Sequence, residues 1–271
     1  MPSTYAHKRF GEQVFDLLPT PLQEQINAHK EAFYLGLHGP DILFYYKPTS
    51  SSPTRKDGIA IHFAPAKDFF LKAAKKLIAF KNPLSTAEGA YVAGFLCHFG
   101  LDDACHGHIY KLEGTGVAHG KIESEFDKLL LRADGKKIRG YNPAGHLTDE
   151  NGTSLAAAVI LEKDEEILKE SIKTIRKINR LFTLPFEPFH WFAHLILNIA
   201  GMRKKFGSMF LHLSTDKRCV QTCNTLKTQF EKAVQPTAYL IEEYFSNLDS
   251  IAKTGEMNKI FDKDFKGDKI L

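Results

Sequence analysis

The sequence predicts an all-α protein. Apolar residues recur at helical spacing from one end of the chain to the other, cap and breaker residues punctuate them, and no alternating apolar/polar run of useful length occurs. No internal repeat or low-complexity tract interrupts the pattern. A chain of 271 residues, 43% hydrophobic and 25% charged, has the length and composition of one helical domain spanning residues 1–271.

Thr20-Pro21 places a cap and a first-turn proline before LQEQINAHKEAFYLGL, with Gln23 completing a capping box, so one helix is expected to end near His38-Gly39-Pro40. The stretch DILFYYKPTSSSPTRKDG reads as an irregular loop in which ILFYY briefly extends. Near Pro65 a third element begins, with Phe69, Phe70, Ala73, Leu77 and Ile78 on one face and lysines on the other. Ser85 and Glu88 form a capping box that opens TAEGAYVAGFLCHFGLDDACHGH, a helix apolar nearly all round and therefore expected in the middle of the fold. After the turn EGTG, VAHGKIESEFDKLLLRA is helical again, and RADGKKIRGYNPAGHLTDENG is a long connection. The C-terminal half reads as three or four more helices: LAAAVILEKDEEILKESIKTIRKINRLF, PFHWFAHLILNIAGMRKKF, a segment from Lys217 to Ala233, and PTAYLIEEYFSNLDSI.

The net charge of +4 arises from 36 basic and 32 acidic residues spread along the chain, with no basic stripe, so nucleic acid is not an expected partner. The first residues lack the apolar core and cleavage site of a secretory signal, which predicts a cytoplasmic location. The most apolar stretch, Trp191 to Met202, is too short to span a bilayer and reads as a buried helix. In that compartment Cys97, Cys105, Cys219 and Cys223 are expected as free thiols.

Chemistry is concentrated between His98 and Glu123. Residues four apart on a helix share a face, so a histidine and a carboxylate at that spacing can converge on one metal ion. His98 with Asp102 and His119 with Glu123 are two such pairs on expected helices, and His106 and His108 lie between them. The composition alone yields about one or two His-x-x-x-acid pairs by chance, and His146 with Glu150, in the long connection, is read as one of these. Imidazole nitrogen and carboxylate oxygen are both good zinc ligands, and a carboxylate can bridge two ions, a role Asp102 is placed to fill. Spacing alone leaves open that His98 is a hydrogen-bonded core histidine and Asp102 a solvent-facing carboxylate. His190 and His194 flank Trp191 without a matching acid and read as packing residues; His38, at a helix end, suits capping as well as ligation; His29, His146 and His212 carry no signal.

Five segments, MPSTYAH, LHGPDILFYY, IAIHFAPAKDFF, FLCHFGLDDACH and AHGKIESEFD, resemble the bacterial zinc-dependent phospholipase C family in the family's order, over roughly residues 1–130. The resemblance implies an all-helical fold with a cluster of two to three zinc ions in residues 1–130, supported by helices over about 150–271. It implies one site from His62, His98 and Asp102; a second from His119, Glu123 and a histidine after Asp102; and a third from His7 sharing Asp102. Asp41, in HGPD, matches a metal-touching carboxylate and candidate general base. Secreted members place the extra histidine where His108 stands here and other relatives where His106 stands; His106 is preferred. The family's N-terminal tryptophan ligand is absent, which leaves open whether the amine of Pro2, freed by loss of Met1, reaches a metal.

The resemblance further implies a phosphodiester hydrolase, a phospholipase C that releases diacylglycerol and a phosphorylated headgroup, with contact at a membrane periphery. Phe44, Tyr45 and Tyr46 would line a substrate pocket or pack in the core. Two alternatives stand beside this reading: a phosphoesterase like the fungal single-strand zinc nucleases, which resemble the same fold, and a helical protein that binds metal without catalysis.

Overall fold

The computed structural model describes residues 4–50, 52–199 and 207–267. Its architecture is all-α, as the sequence predicts, and no strand occurs among the described residues. In chain order the α-helices are α1 (Thr4–Leu17), α2 (Thr20–Asn27), α3 (Lys30–Gly36), α4 (Pro53–Phe63), α5 (Ala66–Leu77), α6 (Ala87–Glu113), α7 (His119–Ala133), α8 (Thr153–Leu161), α9 (Glu165–Phe182), α10 (Glu187–Ile199), α11 (Val220–Ser246) and α12 (Leu248–Thr254). A 3-10 helix, Gly39–Tyr45, joins α3 to α4.

Helix α6 is the axis of the fold. It is buried from Gly89 to Asp102 without interruption and packs most extensively against α3 and α11. Its sequence suits that position, with small residues where backbones meet and aromatics where space must be filled. At the crossing with α3, a Cβ on Gly94 would lie 2.1 Å from the carbonyl oxygen of Phe33, and one on Gly36 would lie 2.1 Å from that of Tyr91. Neither neighbour is a flexible side chain, so the helices would have to separate. Gly94→Ala is therefore expected to cost about 1–3 kcal/mol of stability, the usual penalty for overpacking a filled core, and a thermal melt followed by circular dichroism checks it.

Helix α9 shows the opposite face pattern. Leu168, Ile172, Ile175 and Phe182 are buried at helical spacing while its lysines and glutamates face water. The main core runs through α1, α3, α5, α6, α7, α8, α9 and α11, and a smaller cluster forms around Phe182, Ala193 and Phe210.

Several expectations are corrected. The helix expected from Thr20 to His38 breaks at His29, whose backbone leaves the helical region, giving α2 and α3. Gln23 does not complete a capping box: its amide donates to the carbonyls of Phe15 and Leu18 at 3.1 and 2.9 Å, capping the end of α1 instead. The segment ILFYY does not extend but coils as part of the 3-10 helix, and helix α4 starts inside the expected loop, at Pro53, where Ser52 caps the amide of Arg55. Thr86, not Ser85, opens α6, its hydroxyl accepting from the amide of Gly89 at 3.0 Å. The stretch from Leu155 to Phe182 divides into α8 and α9 at Glu162, which adopts a left-handed conformation at φ 56°. The two helices expected on either side of Pro236 are one continuous helix, α11. Finally, Trp191 is 70% exposed and Ile199 78%, so the apolar helix expected to be buried lies on the surface as far as Ile199; its expected end, to Met202, lies outside the described residues. No helix among the described residues is long and apolar enough to cross a membrane.

Candidate metal centre

Four elements converge on the buried middle of α6. Helix α6 itself carries His98, Asp102 and His106, each four residues from the next and so on one face. Helix α7 runs alongside and offers His119 and Glu123 at the same spacing. His7 comes from α1, His62 from the last turn of α4, and Asp41 from the 3-10 helix. That short helix can reach the centre because Gly39, at φ 45°, lies against the His98 ring, where a Cβ would stand 2.4 Å from the imidazole.

The eight side chains form three groups whose ligand atoms lie within 4.8 Å of one another: His62, His98 and Asp102; His106, His119 and Glu123; and His7, Asp41 and His98. Asp102 is the hub. Its two oxygens stand 3.4 Å from His7 Nε2, 3.1 Å from His98 Nε2, 3.6 Å from His106 Nδ1 and 4.0 Å from His62 Nε2. Asp41 Oδ1 lies 2.9 Å from His62 Nε2, and Glu123 Oε1 lies 3.2 Å from His119 Nε2 and 3.9 Å from His106 Nε2. The His7 and His98 rings stack with centroids 4.3 Å apart.

The imidazoles are oriented from behind. Nδ1 of His62 donates to Gly58 O at 2.7 Å, that of His98 to Leu37 O at 3.3 Å, and that of His106 to Phe265 O at 2.8 Å. A carbonyl only accepts, so each of these rings carries a proton on Nδ1 and turns Nε2 toward the carboxylates, where it can bind a metal once any proton it holds is displaced. His119 Nδ1 meets Glu113 Oε2 at 3.0 Å in the same role. Removing that support by Glu113→Ala is expected to weaken zinc binding about 10- to 100-fold, measured by competition with a chromophoric chelator.

Burial decides what this cluster is for. Seven of the eight side chains are buried, and only His119, 22% exposed, opens toward solvent beside Tyr110. Within the buried set, His7 Nδ1, Asp41 Oδ1, His62 Nε2, His98 Nε2, Asp102 Oδ2 and Glu123 Oε2 make no hydrogen bond. Leaving such atoms unpaired costs about 1–3 kcal/mol each. A core network kept for stability would satisfy them, whereas nitrogen and carboxylate donors converging without partners are what a divalent cation requires, and the donor set suits zinc.

Charge coupling runs through the whole cluster. Burial alone would favour neutral carboxyls, but the histidines hold Asp41, Asp102 and Glu123 below the usual range. Burial, with His98 beside it, pushes His7 down to about 4. Burial also opposes charge on His106 and His119, yet Asp102 and Glu123 outweigh it and carry these imidazoles to about 10 and about 9. In the metal-free protein their ion pairs thus stabilise the fold fully below about pH 6.5, and that contribution is lost as pH rises through 9 to 10. At neutral pH a bound ion must displace these protons. Zinc affinity is accordingly expected to climb with pH up to about 10, with proton release seen by titration calorimetry in buffers of differing ionisation heat; an affinity flat across that range would refute it.

Every ligand expected from the sequence among the described residues is brought to this centre. Pro2 lies outside them. His106 enters the cluster, while His108 is half-exposed and belongs to none of the three groups. His38 neither caps by its side chain nor joins a group; its Nε2 faces that of His146 at 3.3 Å, a partner the sequence did not suggest. His190 packs in the smaller core with Nε2 bonded to Leu184 O at 2.8 Å, and the four cysteines are buried free thiols. Phe44 stacks on His62, and Tyr45 is buried in the core.

Two acidic residues escaped sequence reasoning. Glu113 orients His119, and the buried Asp127 accepts the amides of Tyr5 and Ala6 at 3.1 and 2.9 Å, holding the start of α1 so that His7 points inward. Asp127 stands four residues after Glu123, so the helical periodicity that selected His119 and Glu123 was a usable signal for it.

A helical scaffold that gathers five histidines and three carboxylates around unpaired buried donors has the make-up of an all-α metal-binding protein. The family model described as zinc dependent phospholipase C matches residues 6–181, and the chain belongs to that family. The match reaches through α9, well past the segments that carry the resemblance in the sequence. Comparisons with curated proteins and with solved structures returned no match.

Proposed function

We propose that this protein is a zinc-dependent phospholipase C, hydrolysing the glycerol-side phosphoester of a phospholipid to diacylglycerol and a phosphorylated headgroup. The observation that carries the reading is the set of unpaired, buried ligand atoms on His7, Asp41, His62, His98, Asp102 and Glu123 within a chain of this family. His62, His98 and Asp102 would hold one ion, His106, His119 and Glu123 a second, and His7 with Asp102 or Asp41 a third. Zinc bound there supplies Lewis acidity toward phosphoryl oxygen and a water acidic enough to ionise near neutral pH.

The protein's own groups do the rest. His119 and Tyr110 form the partly exposed edge through which a phosphodiester reaches the centre. Asp41, ionised because His62 and His98 hold its proton affinity down, accepts a proton from the attacking water and aims it at phosphorus. The phosphorus–oxygen bond to glycerol breaks and the departing alkoxide takes up a proton, giving a free hydroxyl. Burial of the remaining ligands keeps bulk water from competing with the substrate for the metals.

The deciding measurement pairs elemental analysis of the purified protein with headgroup release from phosphatidylcholine vesicles before and after chelation. Two to three zinc ions and chelator-sensitive release are expected. Zinc without release would move the substrate to nucleotides or other phosphodiesters, and a protein that binds no zinc would reduce the cluster to a structural one.

A further inference from the structure

Helix α10 is built inside out. Its inner face carries His190, Ala193, His194 and Leu197, spaced three and four apart, with His194 stacked on His212 at 5.4 Å and 4.6 Å from the Phe210 ring. Its outer face carries the large apolar side chains: Phe189 is 50% exposed, Trp191 70%, Phe192 53%, Ile196 48% and Ile199 78%. A helix that turns its histidines inward and its aromatics to water is stable in solution only with a cover for that face.

The surrounding charge says which cover. From Glu187, which opens α10, to Thr215 the sequence contains Arg203, Lys204 and Lys205 against one acid, Glu187, a local excess of positive charge in a chain whose acids and bases otherwise nearly balance. Lys121 lines the same recess as Trp191 and His194. Aromatic and aliphatic side chains on one helix face, with a lysine at its edge and basic residues following in the sequence, are the signature of a helix lying in the interface of an anionic bilayer. The segment against which α10 packs through His194 is tied to the metal centre's own scaffold: Ser124 Oγ of α7 donates to Ser208 O at 3.1 Å, and Lys128 Nζ, also on α7, donates to His212 O and Ser214 O at 3.0 and 2.6 Å.

We propose that the outer face of α10 is a membrane-docking surface that inserts Phe189, Trp191, Phe192, Ile196 and Ile199 into the interface of an anionic lipid bilayer. The inference rests on the phospholipid reading for its purpose, though not for its test. Trp191 is the chain's single tryptophan, so its emission reports on this face alone. Mixing the zinc-loaded protein with vesicles of phosphatidylglycerol and phosphatidylcholine is expected to shift that emission to the blue and to sediment the protein, with less effect from phosphatidylcholine alone or at high salt. Phe192→Ser and Ile196→Ser should each weaken vesicle binding by about tenfold or more while leaving the melting temperature and turnover of soluble p-nitrophenyl phosphocholine unchanged. An emission maximum that stays fixed with both vesicle types overturns the proposal. So does a blue shift without lipid that follows protein concentration and accompanies a doubled mass, which would assign the face to a second copy of the chain. Vesicle binding by a protein that releases no headgroup from any phospholipid would leave the docking surface standing and remove the phospholipase assignment.

Discussion

Asp102→Asn is expected to strip the protein of more than one zinc equivalent and to lower turnover by roughly a thousandfold or more. The carboxylate stands between His7, His98, His106 and His62, so its loss removes a member of one ligand group and disturbs histidines of the other two. An asparagine preserves the volume but offers one neutral oxygen where two anionic ones stood, and its amide protons point at imidazole nitrogens. The metal-free variant should show a second sign. Asp102 contributes to the raised proton affinity of both His98 and His106, so His106 is expected to titrate well below its value of about 10, a change visible in its ring resonances. Zinc content equal to that of the unsubstituted protein would exclude a bridging role for Asp102.

Asp41→Asn is expected to separate binding from chemistry. Asp41 lies nearest His62 and belongs to one of the three groups, with His7 and His98, and the groups built on Asp102 and Glu123 do not include it. Most of the zinc should therefore remain while kcat falls by about 10²- to 10⁴-fold, the usual contribution of a positioned general base, with KM little changed. Elemental analysis and initial rates on the same preparation make the comparison. Loss of zinc in proportion to activity would make Asp41 a structural ligand, and unchanged kcat would remove it from the reaction.

The two variants differ because helix geometry treats the two carboxylates differently. Asp102 is held on a buried helix between two histidines of its own face. Asp41 arrives on a 3-10 turn that reaches the centre only because Gly39 lets the backbone lie against His98. That dependence on a close approach was not readable from HGPD as a string.

The sequence by itself determined the helical class, the central place of α6 and the pairing of His98 with Asp102 and of His119 with Glu123. Those features are local: helical period, apolar content and a spacing of four residues act through the backbone of one segment. Only the tertiary structure decided the rest. It broke the helix at His29, carried α11 through Pro236, set Glu113 behind His119 and Asp127 beneath α1, and turned Trp191 outward. Each of these depends on what a second segment places against the first. Hydrophobicity says how much a side chain gains by leaving water, but not which surface, protein or lipid, will take it in.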